Sequence, residues 1–140
     1  MVVDRKTARE NLRKAIYIAT HGIVKEVYDA PVEDWGSLSP VVFVAPAGDE
    51  PTRLTSRGGK FVYDFEIHTF VAYNSSITTS SDSLDVLDAI AKALCDMIIG
   101  NIETSDWKRL EQNGKSMVIG EVVGGDAYYH EIRPVSMTVT

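Results

Sequence analysis

Three side chains capable of acid–base work or metal ligation, Asp64, Glu66 and His68, fall two residues apart in the stretch KFVYDFEIHTFVAY, residues 60–73. A β-strand sends successive side chains to opposite faces, so these three would stand in a row on one surface. A glutamate and a histidine at that spacing can ligate one metal ion, but a metal site needs three or four such groups and a supporting shell. The remaining histidines are His21, at the end of an expected helix, and His130, in an expected strand. The sequence contains no His-Glu-x-x-His pair, no aspartates at metal-loop spacing and no Gly-x-Ser-x-Gly elbow. Gly58-Gly59-Lys60 lacks the preceding strand, the following helix and the Ser or Thr of a phosphate loop. A row of polar residues is also what the wet side of a half-exposed antiparallel sheet looks like. The sequence therefore assigns no catalytic residue, no metal ligand and no cofactor. A small metal-dependent hydrolase built on Asp64, Glu66 and His68 stays as the enzymatic alternative.

The elements that must position these residues follow from periodicity. Ala8, Leu12, Ala15, Ile16, Ala19 and Ile23 recur at three- and four-residue steps and predict a first helix over about 4–20, closed at His21-Gly22. Arg5, Arg9 and Arg13 form a separate basic row on it, read as a solvated face or a contact for an acidic partner. IVKEVYDA reads as a strand, and DAPVEDWGSLSP as a loop carrying Trp35. VVFVA, residues 41–45, reads as a central strand buried on both faces. PAGDEPTRLTSRGGK reads as a long irregular loop ending in a hairpin turn. On the strand 60–73, Phe61, Tyr63, Phe65, Ile67, Val71 and Tyr73 share the apolar parity. A polar linker then leads to a second amphipathic helix over 83–99, with Cys95 expected as a buried, inert thiol. WKRLEQ, Asn113-Gly114 and KSMVIGEVV read as a hairpin, and Pro134 is expected to put the last strand at an edge or a bulge. The fold class expected is α+β: a mixed, mainly antiparallel sheet with two amphipathic helices packed on one face and long β-hairpin loops, as a single domain over 1–140.

Composition narrows the function. The chain has 140 residues, 44% hydrophobic and 24% charged, with a net charge of −6. That charge argues against a protein whose main task is gripping phosphates. Cys95 is the only cysteine, which leaves no intrachain disulfide and no cysteine-based zinc site. No apolar run approaches the ~18 residues needed to span a bilayer. Together these read as a soluble protein kept in a cytoplasm or packed into something assembled there. Long strands with open edges, a loop tryptophan and long loops are features of an assembly subunit more than of an isolated monomer. A monomeric binding module presenting Trp35 and the 46–60 loop is the other non-enzymatic alternative.

The order of the segments resembles the tail-terminator, or tail-completion, proteins of long-tailed bacteriophages. The residues that carry the resemblance are a charged first helix followed by IVKEVYDAPVED, the apolar SPVVFVAP, the alternating KFVYDFEIHTFVAYNSS leading into SLDVLDAIAKALCDMI, and the closing VVGGDAYYHEIRPVSMTV. The 46–60 loop and SDWKRLEQNGK fit less distinctly and leave room for another neck or head–tail connector component. The resemblance implies a structural virion protein: a subunit of a ring, commonly a hexamer, that caps the head-proximal end of the tail tube. Such a ring ends tube polymerisation, offers a head-joining surface to a neck protein, and lets DNA pass without sequence-specific binding. It implies assembly in the host cytoplasm and residence in the virion, with no membrane partner. On this view Trp35, Asp49, Glu50, Arg53, Arg57, Asp64 and Glu66 are the positions expected to meet a neighbouring subunit, the tube or the channel.

Overall fold

The structure is a computed structural model that describes residues 3–33, 35–36, 38–52, 60–73, 80–101 and 103–139, with the backbone alone at 49–52, 60 and 80–81. The elements in chain order are α1 (Arg5–Ala19), β1 (Glu26–Tyr28), β2 (Val41–Thr52), β3 (Lys60–Ala72), α2 (Ser80–Gly100), β4 (Arg109–Gln112), β5 (Met117–Val123) and β6 (Asp126–Val139). The strands form one sheet in the order β1-β2-β3-β6-β4, with β5 also on β6. β1 runs parallel to β2 and every other pairing is antiparallel. This is the α+β architecture that the patterning predicts.

Helix α1 starts where Asp4 accepts a hydrogen bond from the Thr7 backbone N–H at 2.7 Å, satisfying one of the donors that a helix start leaves open. That bond holds the Asp4 carboxyl below its usual range. At the other end Thr20 donates its hydroxyl to the Ile16 carbonyl at 2.7 Å, and Gly22, at φ 86°, turns the chain toward β1. Both helices lie on one face of the sheet. Ala8, Leu12 and Ile16 of α1 and Leu87, Ile90, Leu94 and Met97 of α2 join Val42, Val44, Phe65, Ile67, Val135 and Met137 of the strands in a continuous core. Alternation explains the membership: each of these strand residues shares the parity that points toward the helices.

The sheet corrects four readings of the sequence. The strand expected from IVKEVYDA is only the three residues Glu26–Tyr28. The irregular loop expected after Ala45 is in large part strand: β2 continues to Thr52 and pairs with Lys60–Asp64 of β3. A register shift between Pro46 and Gly48 lets the proline into the ladder, with Gly48 at φ 138° on the far side. Asn113-Gly114 does not close a two-stranded hairpin. β4 and β5 instead lie one after the other along the same edge of β6, β4 on Val135–Thr138 and β5 on Asp126–Ile132. Pro134 is then on neither an edge strand nor a bulge, because β6 has β3 on one side and β4 and β5 on the other. It sits at the break between those two strands. Its carbonyl accepts the Asn113 N–H at 2.9 Å on that side, and within one strand residue the N and C=O point the same way, so its missing N–H faces the gap.

A second, smaller core occupies the face away from the helices. Trp35 crosses the sheet there with Val41, Phe43, Phe70 and Tyr128. The face carrying Asp64, Glu66 and His68 is therefore wet at one end and covered at the other.

Candidate functional site

The row Asp64, Glu66, His68 does form on one face of β3, but its members turn to different partners. Asp64 accepts a hydrogen bond from the Ser136 hydroxyl at 2.6 Å, across the β3–β6 ladder. Glu66 Oε1 lies 3.1 Å from His68 Nε2, with the two side chains 40% and 13% exposed. His68 Nδ1 then points to His130 Nε2 at 2.6 Å. His130, 6% exposed, has its Nδ1 2.6 Å from Glu121 Oε2 of β5, a close charge pair rather than a straight hydrogen bond. The result is a chain across three strands, Glu66–His68–His130–Glu121.

The ladder register places it. His68 pairs with Ile132 and Phe70 with His130 in β3–β6, so the two histidines are diagonal neighbours on one face, within reach of long side chains. Glu121 reaches them because β5 pairs Glu121 with Tyr128 and Ile119 with His130. Aromatic rings fix the imidazole planes: Phe43 lies parallel to His68 at 4.7 Å between centroids, and Phe70 parallel to His130 at 4.0 Å. The two imidazoles are 4.8 Å apart and 30° from coplanar. With nitrogens 2.6 Å apart, that places them edge to edge along the N···N line, not face to face. Burial and the charge of His68 push the His130 pKa down, against the upward pull of Glu121 and Glu66. An open groove of about 470 Å³ runs beside the chain, lined by Trp35, Phe43, His68, Glu121 and His130 among others.

The arrangement does not assemble a metal centre from the sequence-derived trio. Each carboxylate backs the outer nitrogen of a histidine, and the two inner nitrogens face each other. Among the described residues no group of three or more His, Cys, Asp and Glu side chains is placed to hold a metal ion. His130 and Glu121 are the participants that reading along the chain did not join to His68; the signal was parity, which becomes useful only once β3 and β6 are paired.

The other sequence-derived positions are scattered. Trp35 is 6% exposed: its ring contacts Phe70 at 4.6 Å and its indole N–H donates to the Tyr128 hydroxyl at 3.2 Å. It fastens its own loop to the sheet. Asp49 and Glu50 stand on the distal half of β2, opposite Tyr63 and Val62. Arg53 and Arg57 lie outside the described residues. Cys95 is half-buried rather than sealed, with the Arg133 guanidinium 3.4 Å from its sulfur.

One exposed feature is not visible in the sequence pattern. β5 is an outer strand whose Met117, Val118, Ile119 and Val122 are 54%, 48%, 39% and 71% exposed, so apolar side chains stand on both of its faces. Its register with β6 is unbroken, and it carries no Pro, Lys or Arg. Those are among the devices by which natural sheets blunt an open edge; its one charged residue, Glu121, is turned in toward His130. Helix α1 adds Ile18 at 75% exposed near the opposite edge, where it packs beside β1 and β2. No described helix is long and apolar enough to cross a membrane.

No family model matches the chain, and no curated protein matches it. Among solved structures, a chain in the structure titled "Virion of native gene transfer agent (GTA) particle" superposes with a TM-score of 0.52 at 16% identity, over 97% of this chain and 95% of that one. The two chains share a fold over nearly their whole lengths.

Proposed function

We propose that this chain is a structural subunit of a phage-like particle, and within it a subunit of the ring that caps the head-proximal end of the tail tube. The observation that carries the reading is the end-to-end likeness to a chain of a gene transfer agent virion, with neither chain leaving a sizeable part unmatched. The shape of the molecule supports it. A largely apolar edge at β5 and exposed apolar residues on α1 near the opposite edge suit a head-to-tail contact that closes into a ring. A net charge of −6 on each subunit repels phosphate, as a conduit for moving DNA requires. On this reading the chain is no enzyme and takes no cofactor. Its partners are further copies of itself, commonly six in such rings, the tail-tube protein and a neck protein on the head side; DNA passes without sequence readout. Asp49, Glu50, Arg53, Arg57, Asp64 and Glu66 remain the proposed contacts with neighbours, tube or channel, while Trp35 packs on Phe70 and Tyr128 of its own sheet.

The test is tube length. Purified protein added to polymerising tail-tube subunits should stop growth and appear by electron microscopy at one end only. Unchanged growth, or protein spread along the walls, would overturn the terminator assignment. Binding only to the isolated neck would move the chain to another head–tail connector position.

A further inference from the structure

We infer that His68 and His130 jointly hold one extra proton between Glu66 and Glu121, and that this proton clamps β5 to the body of the sheet. The chain Glu66–His68–His130–Glu121 has three close contacts, at 3.1, 2.6 and 2.6 Å, and each has an imidazole nitrogen on at least one side. A carboxylate only accepts, so Nε2 of His68 and Nδ1 of His130 must both carry hydrogen to be favourable neighbours of Glu66 and Glu121. That consumes the one N–H that each neutral histidine owns. The two inner nitrogens would then confront each other with lone pairs at 2.6 Å in a site where His130 is 6% exposed. A third proton, placed between them, satisfies all three contacts at once. The pair then carries one positive charge between two carboxylates.

The surroundings agree. Among the described residues, the other charged group along the groove is Glu33, which is exposed and whose charge favours the cation further. From β2 the neighbour is Phe43, from β3 Phe70; Asp64 on β3 is already bonded to Ser136, and Asp126 lies four residues from His130 along β6. A second proton would put two imidazolium ions in contact, and it is strongly opposed. Burial and the charge of His68 push the His130 pKa down against Glu121 and Glu66, and the His68 repulsion is the part that a second proton would meet. A metal ion is the rival occupant of the space between the rings. It would have two nitrogens and, among the described residues, no third ligand.

Because Glu121 is the only acidic residue of β5 and Phe70, His68 and His130 belong to strands β3 and β6, the shared charge ties the edge strand inward. Losing the proton removes the positive charge opposite Glu121 and leaves one of the three contacts with lone pairs facing, which loosens that strand. The test is a pH titration of the full chain by NMR, reading the ring nitrogens of both histidines and the hydrogen exchange of the β5 amides. Two coupled steps are expected, one above the ordinary histidine value of about 6.5 and one well below it. β5 exchange should rise beyond its intrinsic pH dependence across the upper step. Glu121→Gln, which keeps the side-chain shape, should lower the upper step by about one unit and abolish the coupling to exchange. Independent titration of both rings near 6.5, or two neutral rings throughout pH 5–8 with β5 protection unchanged, would overturn the proposal. Stoichiometric zinc binding that shifts both rings would overturn it too, in favour of a metal.

Discussion

Asp64 and Glu66 have partners that tie them to their own sheet: a serine hydroxyl at 2.6 Å for one and an imidazole at 3.1 Å for the other. Asp64→Asn with Glu66→Gln preserves shape and an acceptor at each position, and should cost about 1 kcal/mol in urea unfolding while leaving tube joining intact. Intact folding with lost joining would show that joining depends on their charges. Trp35 behaves differently. Its ring is buried against Phe70 and Tyr128, so Trp35→Ala should destabilise the chain by about 3–5 kcal/mol by the same measurement. A tryptophan that served a partner would leave stability unchanged. The histidine pair has a sign of its own. The folded chain resists the second proton, and the unfolded chain accepts it near pH 6.5, so stability falls as pH drops below about 6.5 until the folded value is passed. Above the upper step the shared proton is gone and its contribution with it, so urea midpoints should peak between the two steps and the peak should flatten in Glu121→Gln. Spacing within β3 was enough to reveal the row Asp64, Glu66, His68. The chain to His130 and Glu121 was not legible, because it depends on a strand-pairing register that local patterning does not specify.

At the scale of elements, the edge strand carries the strongest expectation. Val122 is 71% exposed and makes no demand on the core, so Val122→Lys should change monomer stability by less than about 0.5 kcal/mol. If β5 is a joining edge, the added charge should nevertheless weaken self-association, seen as a shift toward monomer in analytical ultracentrifugation. The helices and β3 were readable because each buries a continuous stripe or one parity, so Leu12, Leu94, Phe65 and Ile67 announce themselves by spacing. The 46–52 segment, Asn113-Gly114 and Pro134 misled for one shared reason. Proline and glycine mark a local break in backbone pairing, yet in this sheet the breaks are absorbed by long neighbours: a register shift in β2, and a gap between β4 and β5 that β6 bridges.

The whole molecule is a twisted sheet with helices on one face, a small aromatic core under a loop on the other, and an apolar edge left uncovered at β5. Such an edge is a hazard for a monomer and a joint for an assembly. Under the proposed function the acidic charge suits a channel for DNA, and among the described residues no group of three or more His, Cys, Asp and Glu side chains is placed to hold a metal ion. The order of segments in the sequence made the architecture accessible; the exposure of β5 was not, since that strand looks like an ordinary hairpin partner until its neighbours are known. The most direct measurement is native mass spectrometry of the purified protein over a range of concentrations, alone and with tail tubes. The account predicts a ring-sized multiple free of metal, formed alone or on the tube. A chain that stays monomeric at every concentration and is not recruited by tubes would contradict it.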